Sequence, residues 1–346
     1  MNNKLKKGIQ ITVFFAIGGL LFWLAYRGQD ISTLLNALED TRWWWIVAIA
    51  IFYLTAHYSR AARWQLLLEP FGYKPRGINL FMSVLVMYLS NLAIPRSGEV
   101  LRCGIVSKYE KIPFAHCLGT VVTERIADLT IVMIVSVIVL ASQWGFVSEM
   151  IAANPDITDR IELIKHYAIP ITLILIALTA AGIFIIRLII KRNIFGIGDK
   201  INGIWQQFRD GLTTILHLKH RTLFIIHSLY INFVYFYAVY LGFKAFGFTE
   251  HLTLVTGLMV FVLATFGVIV PSPGGMGTWH FIVIETLAMY GVKRDPDGRA
   301  LALVIHGLQD ISFIILGALS LMLLPWINKD YDVPQVEDAD QTPPNT

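Results

Sequence analysis

Asn91-Leu92-Ala93-Ile94-Pro95-Arg96-Ser97-Gly98-Glu99-Val100-Leu101-Arg102 is the stretch on which the fold turns. It ends an apolar run from Leu80 that is too short for a plain membrane crossing, because a hydrocarbon core about 30 Å thick takes roughly 20 residues of helix. Proline and glycine break the helix, and three charges crowd around the break. Broken backbone at membrane depth survives only where protein or a wet cavity satisfies its polar groups. Residues 80–100 therefore read as a re-entrant hairpin. A second interruption has the same character. The apolar run 252–270 meets Pro271-Ser272-Pro273-Gly274-Gly275-Met276-Gly277, and apolar residues resume over 279–290.

Working outward, the other apolar runs are long enough to cross. They cover 9–25, 43–58, 117–140, 167–190, 223–246 and 300–326. The first follows Lys4, Lys6 and Lys7 but exceeds the apolar stretch of a signal peptide, about 7–15 residues. Leu24-Ala25-Tyr26-Arg27 also offers no small-x-small cleavage site, so this run is expected to stay as a helix. Trp43-Trp44-Trp45 suits an interfacial aromatic belt. Composition agrees: 55% of the 346 residues are apolar, 15% are charged, and mean hydropathy is +0.61. A soluble domain carries about 25% charge. Two cysteines, Cys103 and Cys117, exclude a disulfide framework and a four-thiolate zinc site.

Basic residues collect in cytoplasmic loops, which tests the hairpin reading. If 80–100 enters and leaves on the cytoplasmic face, the N-terminus, 59–78, 96–115 and 187–221 lie inside with eighteen Lys and Arg. The outer loops 27–42, 143–166 and 291–299 then hold seven. A full crossing would instead expose the seven basic residues of 187–221 outside. The expected architecture is thus an all-α polytopic bundle of about six full spans and two opposed re-entrant hairpins. Residues 1–327 form the membrane unit, in the plasma membrane, with both termini cytoplasmic. Residues 195–218 form an amphipathic segment, with Ile201, Ile204, Trp205, Phe208, Leu212 and Ile215 at helical spacing. That stripe suits the leaflet surface or packing on other loops. The polar, proline-bearing tail 328–346 reads as disordered.

Ionisable residues within spans cost several kcal/mol unless paired or hydrated, so each is a functional candidate. If a helix starts at Pro95, Arg96, Glu99 and Arg102 follow at three-residue steps, and Glu99 braces one or both arginines. Their forked guanidinium groups suit a phosphate. Glu124 and Asp128 share a helical face, with Arg125 about 100° away. A cation from Arg96, Arg102 or Arg63 fits between them, as substrate machinery or as a structural lock. Arg60 reads as a side chain snorkelling to headgroups. A helix starting near Gly277 aims its positive end inward, and His280, Glu285, His306 and Asp310 follow it.

Together these motifs resemble the flippase-like family built on the transmembrane region of lysylphosphatidylglycerol synthase. The matching residues are Arg60-x-x-Arg63-Trp64, Asn91-x-x-x-Pro95-Arg96-x-Gly98-Glu99-x-x-Arg102, Glu124-Arg125-x-x-Asp128 and Pro271-x-Pro273-Gly274-Gly275-x-Gly277, in the family's order over residues 8–326. The resemblance implies movement of anionic or aminoacylated phospholipid between leaflets. It implies substrate contacts from Arg63, Asn91, Arg96, Glu99, Arg102, Glu124, Arg125, Asp128, Pro273, Gly274, Gly275, Gly277 and His280. His280 stands where the family often has glutamate, and an arginine common in the last span is missing, with His306 nearby. The family's soluble aminoacyl-transfer domain is not in this sequence.

No His-Glu-x-x-His, Gly-x-Ser-x-Gly or Walker lysine motif is present. Catalytic residues, a metal and a cofactor are therefore not expected. The alternatives to a flippase are a lipid-phosphate-modifying enzyme, using Glu99, Glu124 or Asp128 as a base, and an envelope-assembly scaffold. The expected partners are membrane phospholipids, a second copy of the chain or a separate lipid-modifying enzyme, with no nucleic acid.

Overall fold

The structure, a computed structural model, describes residues 41–153, 197–267 and 273–333, with Ser32 and Glu39 standing alone before them. The expected spans 9–25 and 167–190 and the tail beyond Val333 lie outside the described residues. Within them there are ten α-helices and no strand. This is an all-α, multi-pass membrane protein.

Helix α1 (Trp43–Leu68) runs ten residues past the expected end at Tyr58, stopping where Pro70 and the left-handed Gly72 turn the chain. Arg60 and Arg63 therefore sit inside a helix, both buried, and Arg60 does not snorkel. Helices α2 (Gly77–Ala93) and α3 (Gly98–Glu110) flank the first break and pack on each other. A Cβ at Gly98 would collide with the Met87 carbonyl oxygen, so the helices close only because this residue is glycine. Helix α3 starts at Gly98, not at Pro95. Pro95 and Arg96 belong to the turn, and Arg96 takes a left-handed φ of 63°.

Helices α4 (Phe114–Ser142) and α5 (Trp144–Ala153) follow, then α6 (Ile197–Thr213) and α7 (Arg221–Ala245). Helix α8 (Leu254–Gly267) precedes the second break, a tight turn at Pro273–Gly275, and α9 (Thr278–Met289) follows it. Helix α10 (Arg299–Ile327) closes the described bundle. Among the described residues, three segments are long and apolar enough to cross a bilayer: α4, α7 and Arg294–Ile327, which contains α10. Helices α2, α8 and α9 are apolar but shorter. At 1.5 Å per residue, a 12- to 17-residue helix reaches about 18–26 Å, short of the hydrocarbon thickness. Ile126, Leu129, Ile134 and Val137 on α4 and Ile225 and Leu229 on α7 are exposed, as lipid-facing surfaces demand.

Helix α1 runs antiparallel to α7 and joins two apolar cores. Ile46, Ile49 and Tyr53 pack with the far end of α7 and with α8, α9 and α10. Trp64, Leu67 and Leu68 pack with α2, α3 and the start of α4. Helix α6 crosses α4 where Gly211 meets Gly119, a contact no side chain would permit. Thr123 on α4 also donates to the Leu212 carbonyl at 2.8 Å. The amphipathic stripe is thus split. One side packs on α4, and Ile204 and Trp205 point outward. The first tail residues are also docked: Asn328 exchanges hydrogen bonds with Asn79 at 2.8 Å, and the Tyr331 hydroxyl donates to Glu110 at 3.0 Å. The Tyr331 phenol is pushed up to about 12 by burial and by that carboxylate. A cavity of about 920 Å³ opens here between Lys74, Lys108, Lys111 and Tyr331, away from every expected site residue.

Candidate functional site

Four helices converge on one buried charge cluster. Arg60 and Arg63 are one turn apart on α1, and Glu124 and Asp128 are one turn apart on α4. The two faces meet in register. Asp128 accepts from Arg60 Nη1 at 3.1 Å and from Arg63 Nη1 at 2.5 Å. Arg63 Nη2 reaches Glu124 Oε1 at 3.4 Å, and its Nη1 donates to Ser228 Oγ on α7 at 3.0 Å. From α3, Arg102 Nη2 donates to the other oxygen of Glu124. Arg125, half exposed, lies 3.4 Å from Asp128. Arg63, Arg102 and Glu124 are wholly buried.

Trp64 completes the cluster. Its ring lies 4.4 Å under the Arg102 guanidinium carbon, and its indole N–H donates to Thr120 Oγ1 at 2.9 Å. A cation over an indole face in a dry interior is held electrostatically as well as by packing. The cluster remains over-supplied with positive charge. Arg60, Arg63, Arg102 and Arg125 face two carboxylates, and counting Glu99 as a third still leaves one surplus cation. Arg102 Nε and Nη1 and Arg60 Nε are buried with no hydrogen-bond partner. An unmet buried donor on a charged group costs more than the roughly 1–3 kcal/mol of a neutral one. Open guanidinium donors of this kind match the oxygens of an anion.

Not every expected residue joins the cluster. Glu99 makes no ion pair with Arg96 or Arg102, and its Oε2 is buried without a partner. Glu124 does the bracing that was expected of Glu99. Arg96 is exposed on the turn. Asn91 is structural here: its Oδ1 accepts the Gly98 N–H at 2.8 Å, answering an open donor at the start of α3. Ser97 ties the same turn by donating to the Ile94 carbonyl at 2.8 Å.

The second break seats on the first. Gly274 has a left-handed φ of 61°, and a Cβ there would lie 2.7 Å from Leu92 Cδ2 and 3.6 Å from Asp310 Oδ1. Only glycine meets both conditions. Gly275 and Gly277 also have positive φ, and α9 starts directly after them. His280, in the first turn of α9, is buried with its ring centroid 4.7 Å from that of His306. Asp310 hydrogen-bonds His306 Nδ1 at 3.1 Å.

The sequence reading gave Arg60 and Trp64 no part in the cluster and passed over Ser228 and the tyrosine pair Tyr88 and Tyr235, whose hydroxyls meet at 2.8 Å. Arg60 was findable: basic residues three apart on one helix complement acids four apart on another. Nothing local pointed to Ser228.

Comparison with known proteins gives the chain a family. Residues 11–317 match the model of a family described as the lysylphosphatidylglycerol synthase TM region. The chain belongs to that family. Among curated proteins, it is 27% identical over 124 residues to the UPF0104 membrane protein MJ1595 of Methanocaldococcus jannaschii, covering 35% of this chain and 36% of that one. It is 26% identical over 101 residues to the glycosyltransferase AglD of Haloferax volcanii, covering 29% of this chain and 16% of that one. The matched region is thus about a third and a sixth of the length of these relatives. No solved structure matches. The family match spans both helix breaks and the whole charge cluster of this synthase-TM-region protein.

Proposed function

We propose that the protein moves, or helps move, anionic or aminoacylated phospholipid between the leaflets of the cytoplasmic membrane, with both of its termini in the cytoplasm. The surplus positive charge and open guanidinium donors around Arg102 carry this reading. A lipid phosphate is an anion that reaches such a site from within the bilayer, and arginine forks match its oxygens. Arg102 and Arg60 hold the phosphate. Arg63, Arg125, Glu124 and Asp128 fix the arginines or answer a cationic headgroup. Arg96 and Glu99, at the first break, meet the headgroup on entry, and Asn91 keeps that break in shape.

The two breaks are re-entrant in this account. Their short helices, and the seating of Pro273, Gly274 and Gly275 on Leu92, support hairpins that meet inside the membrane. Gly277 and His280 line the inner side of the second hairpin. Because Arg63, Arg102 and Glu124 are shut from solvent, transfer requires these hairpins to part, while acyl tails stay in lipid.

The test is exchange of fluorescent phosphatidylglycerol between the leaflets of proteoliposomes, with headgroup analysis of the same vesicles. The expected result is exchange without headgroup conversion, lost in Arg102→Gln. Conversion of the headgroup would make the protein an enzyme, and neither activity would favour a scaffold.

A further inference from the structure

The cavity of about 920 Å³ lies at the end of the bundle where α1, α3 and α10 stop and α2 and α4 begin. Three lysines stand on its wall, Lys74 in the link between α1 and α2, and Lys108 and Lys111 at the end of α3. All three are exposed, and among the described residues none has a hydrogen bond or an ion pair from its side chain. Lys108 lies over the Tyr109 ring, 5.1 Å from its centroid. Lys111 takes a left-handed φ of 57°, a conformation that favours glycine, so the turn itself gives no reason for a lysine there.

The wall also carries two carboxylates, Glu110 and Asp332, and the first is already answered. Glu110 is buried. Its Oε1 accepts from the Arg76 backbone N–H at 3.2 Å and from the Asn79 amide, and its Oε2 accepts from the Tyr331 hydroxyl at 3.0 Å. The Arg76 guanidinium carbon lies 4.6 Å from the Tyr331 ring centroid, beside the same wall. Four cations therefore meet two carboxylates, one of them with both oxygens occupied. The same bonds, with the exchange between Asn79 and Asn328, tie residues 328–331 to the start of α2 and the end of α3. This is a shaped basic recess with a fixed wall.

Its depth points to the ligand. Helix α4 and the segment ending at Ile327 are long enough to cross a bilayer, so the recess sits where they leave the hydrocarbon. Phe114 and Trp326, exposed at these two helix ends, suit the headgroup level. Basic pockets between helices at that level take anionic headgroups, and an ammonium group meets phosphate oxygens as a point charge. We propose that this cavity binds a phosphate whose charge no neighbouring amine cancels, presented by an anionic lipid headgroup or as free phosphate. Lys74, Lys108 and Lys111 hold its oxygens, and the volume leaves room for the group the phosphate is attached to. No residue of the arginine cluster lines this cavity. The site stands whether or not the protein moves lipid.

The experiment reads the lysines themselves. Full-length protein in phosphatidylcholine nanodiscs, with and without added phosphatidylglycerol, is exposed briefly to acetic anhydride, and mass spectrometry gives the acetylation rate at each lysine. Phosphatidylglycerol is expected to slow Lys74, Lys108 and Lys111 several-fold. Lys219 is the control, exposed before α7 at the same end of the bundle, and it should change far less. A second arm adds inorganic phosphate to discs of phosphatidylcholine alone. Equal protection there assigns the site to a soluble phosphate, and protection by phosphatidylglycerol alone assigns it to a lipid headgroup. Lys74→Gln should raise the phosphatidylglycerol content that half-protects Lys108 and Lys111 about fivefold, the share of one lysine at an anionic surface. No protection in either arm, or equal protection of Lys219, overturns the proposal. Protection of Lys108 and Lys111 unchanged in Lys74→Gln overturns the shared site.

Discussion

The arginine cluster and the histidine trio lie in the same helical bundle, and they solve the problem of buried charge differently. In the cluster, cations outnumber carboxylates. Glu124 is answered on both oxygens, Asp128 takes three arginines, and Trp64 pins Arg102 from below. Its charge is fixed, because guanidinium does not release its proton in proteins. In the trio, one carboxylate faces two imidazoles, and one of those has no partner at all. The first arrangement leaves buried guanidinium donors open, and the second lies against the glycine turn through Asp310.

The comparison breaks most violently at Glu124. Replacing it with Gln leaves Arg63 and Arg102 buried and short of a counter-charge, and removing one partner of a buried pair costs about 3–5 kcal/mol. Glu124→Gln is expected to lose most of its folded yield, read as the monodisperse fraction in detergent after heating. Asp310→Asn, in the less committed region, should keep that yield.

Arg102→Lys and Arg102→Gln sharpen the claim of anion binding. A hydrogen bond to a charged group is worth about 1.5–3 kcal/mol, so Arg102→Gln should slow lipid exchange roughly ten- to a hundredfold. Arg102→Lys should recover little, since lysine restores the charge but not the planar fork. Equal exchange by both variants and wild type would take Arg102 out of the site.

Gly274→Ala probes the seam between the two regions. The left-handed φ alone costs an alanine about 1–2 kcal/mol, and Leu92 must also move aside. A melting temperature lowered by several degrees is expected. Gly291→Ala, also at positive φ but with open space around it, should pay only the backbone share. The smallest effect belongs to Tyr331→Phe at the docked tail, about 1 kcal/mol for one hydrogen bond to Glu110. Because the raised phenol favours its neutral form, that contribution is present below the ordinary tyrosine range. It fades as pH rises towards about 12. Ultraviolet titration of Tyr331→Phe should show one late-ionising tyrosine fewer than wild type.

Much of the fold was legible because membrane chemistry writes itself into sequence. Length and hydropathy gave α4, α7 and α10, and proline beside glycine gave both breaks. The partnership of Glu124 and Asp128 with arginines was foreseeable from like charges four apart on one face, which demand a cation. Two of the three candidates named, Arg63 and Arg102, are partners; Arg96 is not, and Arg60 was assigned to headgroups because α1 was taken to end at Tyr58. Helix ends are set by where the chain can stop, at Pro70 and Gly72, rather than by where hydropathy falls. Glu99 misled for a related reason. Spacing from Pro95 assumed a continuous helix through Arg96, and the left-handed turn there rotates Arg96 off the face. The seating of Gly274 on Leu92 joins residues far apart in the chain, which no local pattern encodes.

The account stands on one claim, that the open donors around Arg102 receive a lipid phosphate. Native mass spectrometry of the protein released gently from its membrane tests it directly. Wild type is expected to carry a phosphate-bearing lipid that resists delipidation, and the folded fraction of Arg102→Gln to carry none. The same lipid retained to the same degree by both would contradict the claim.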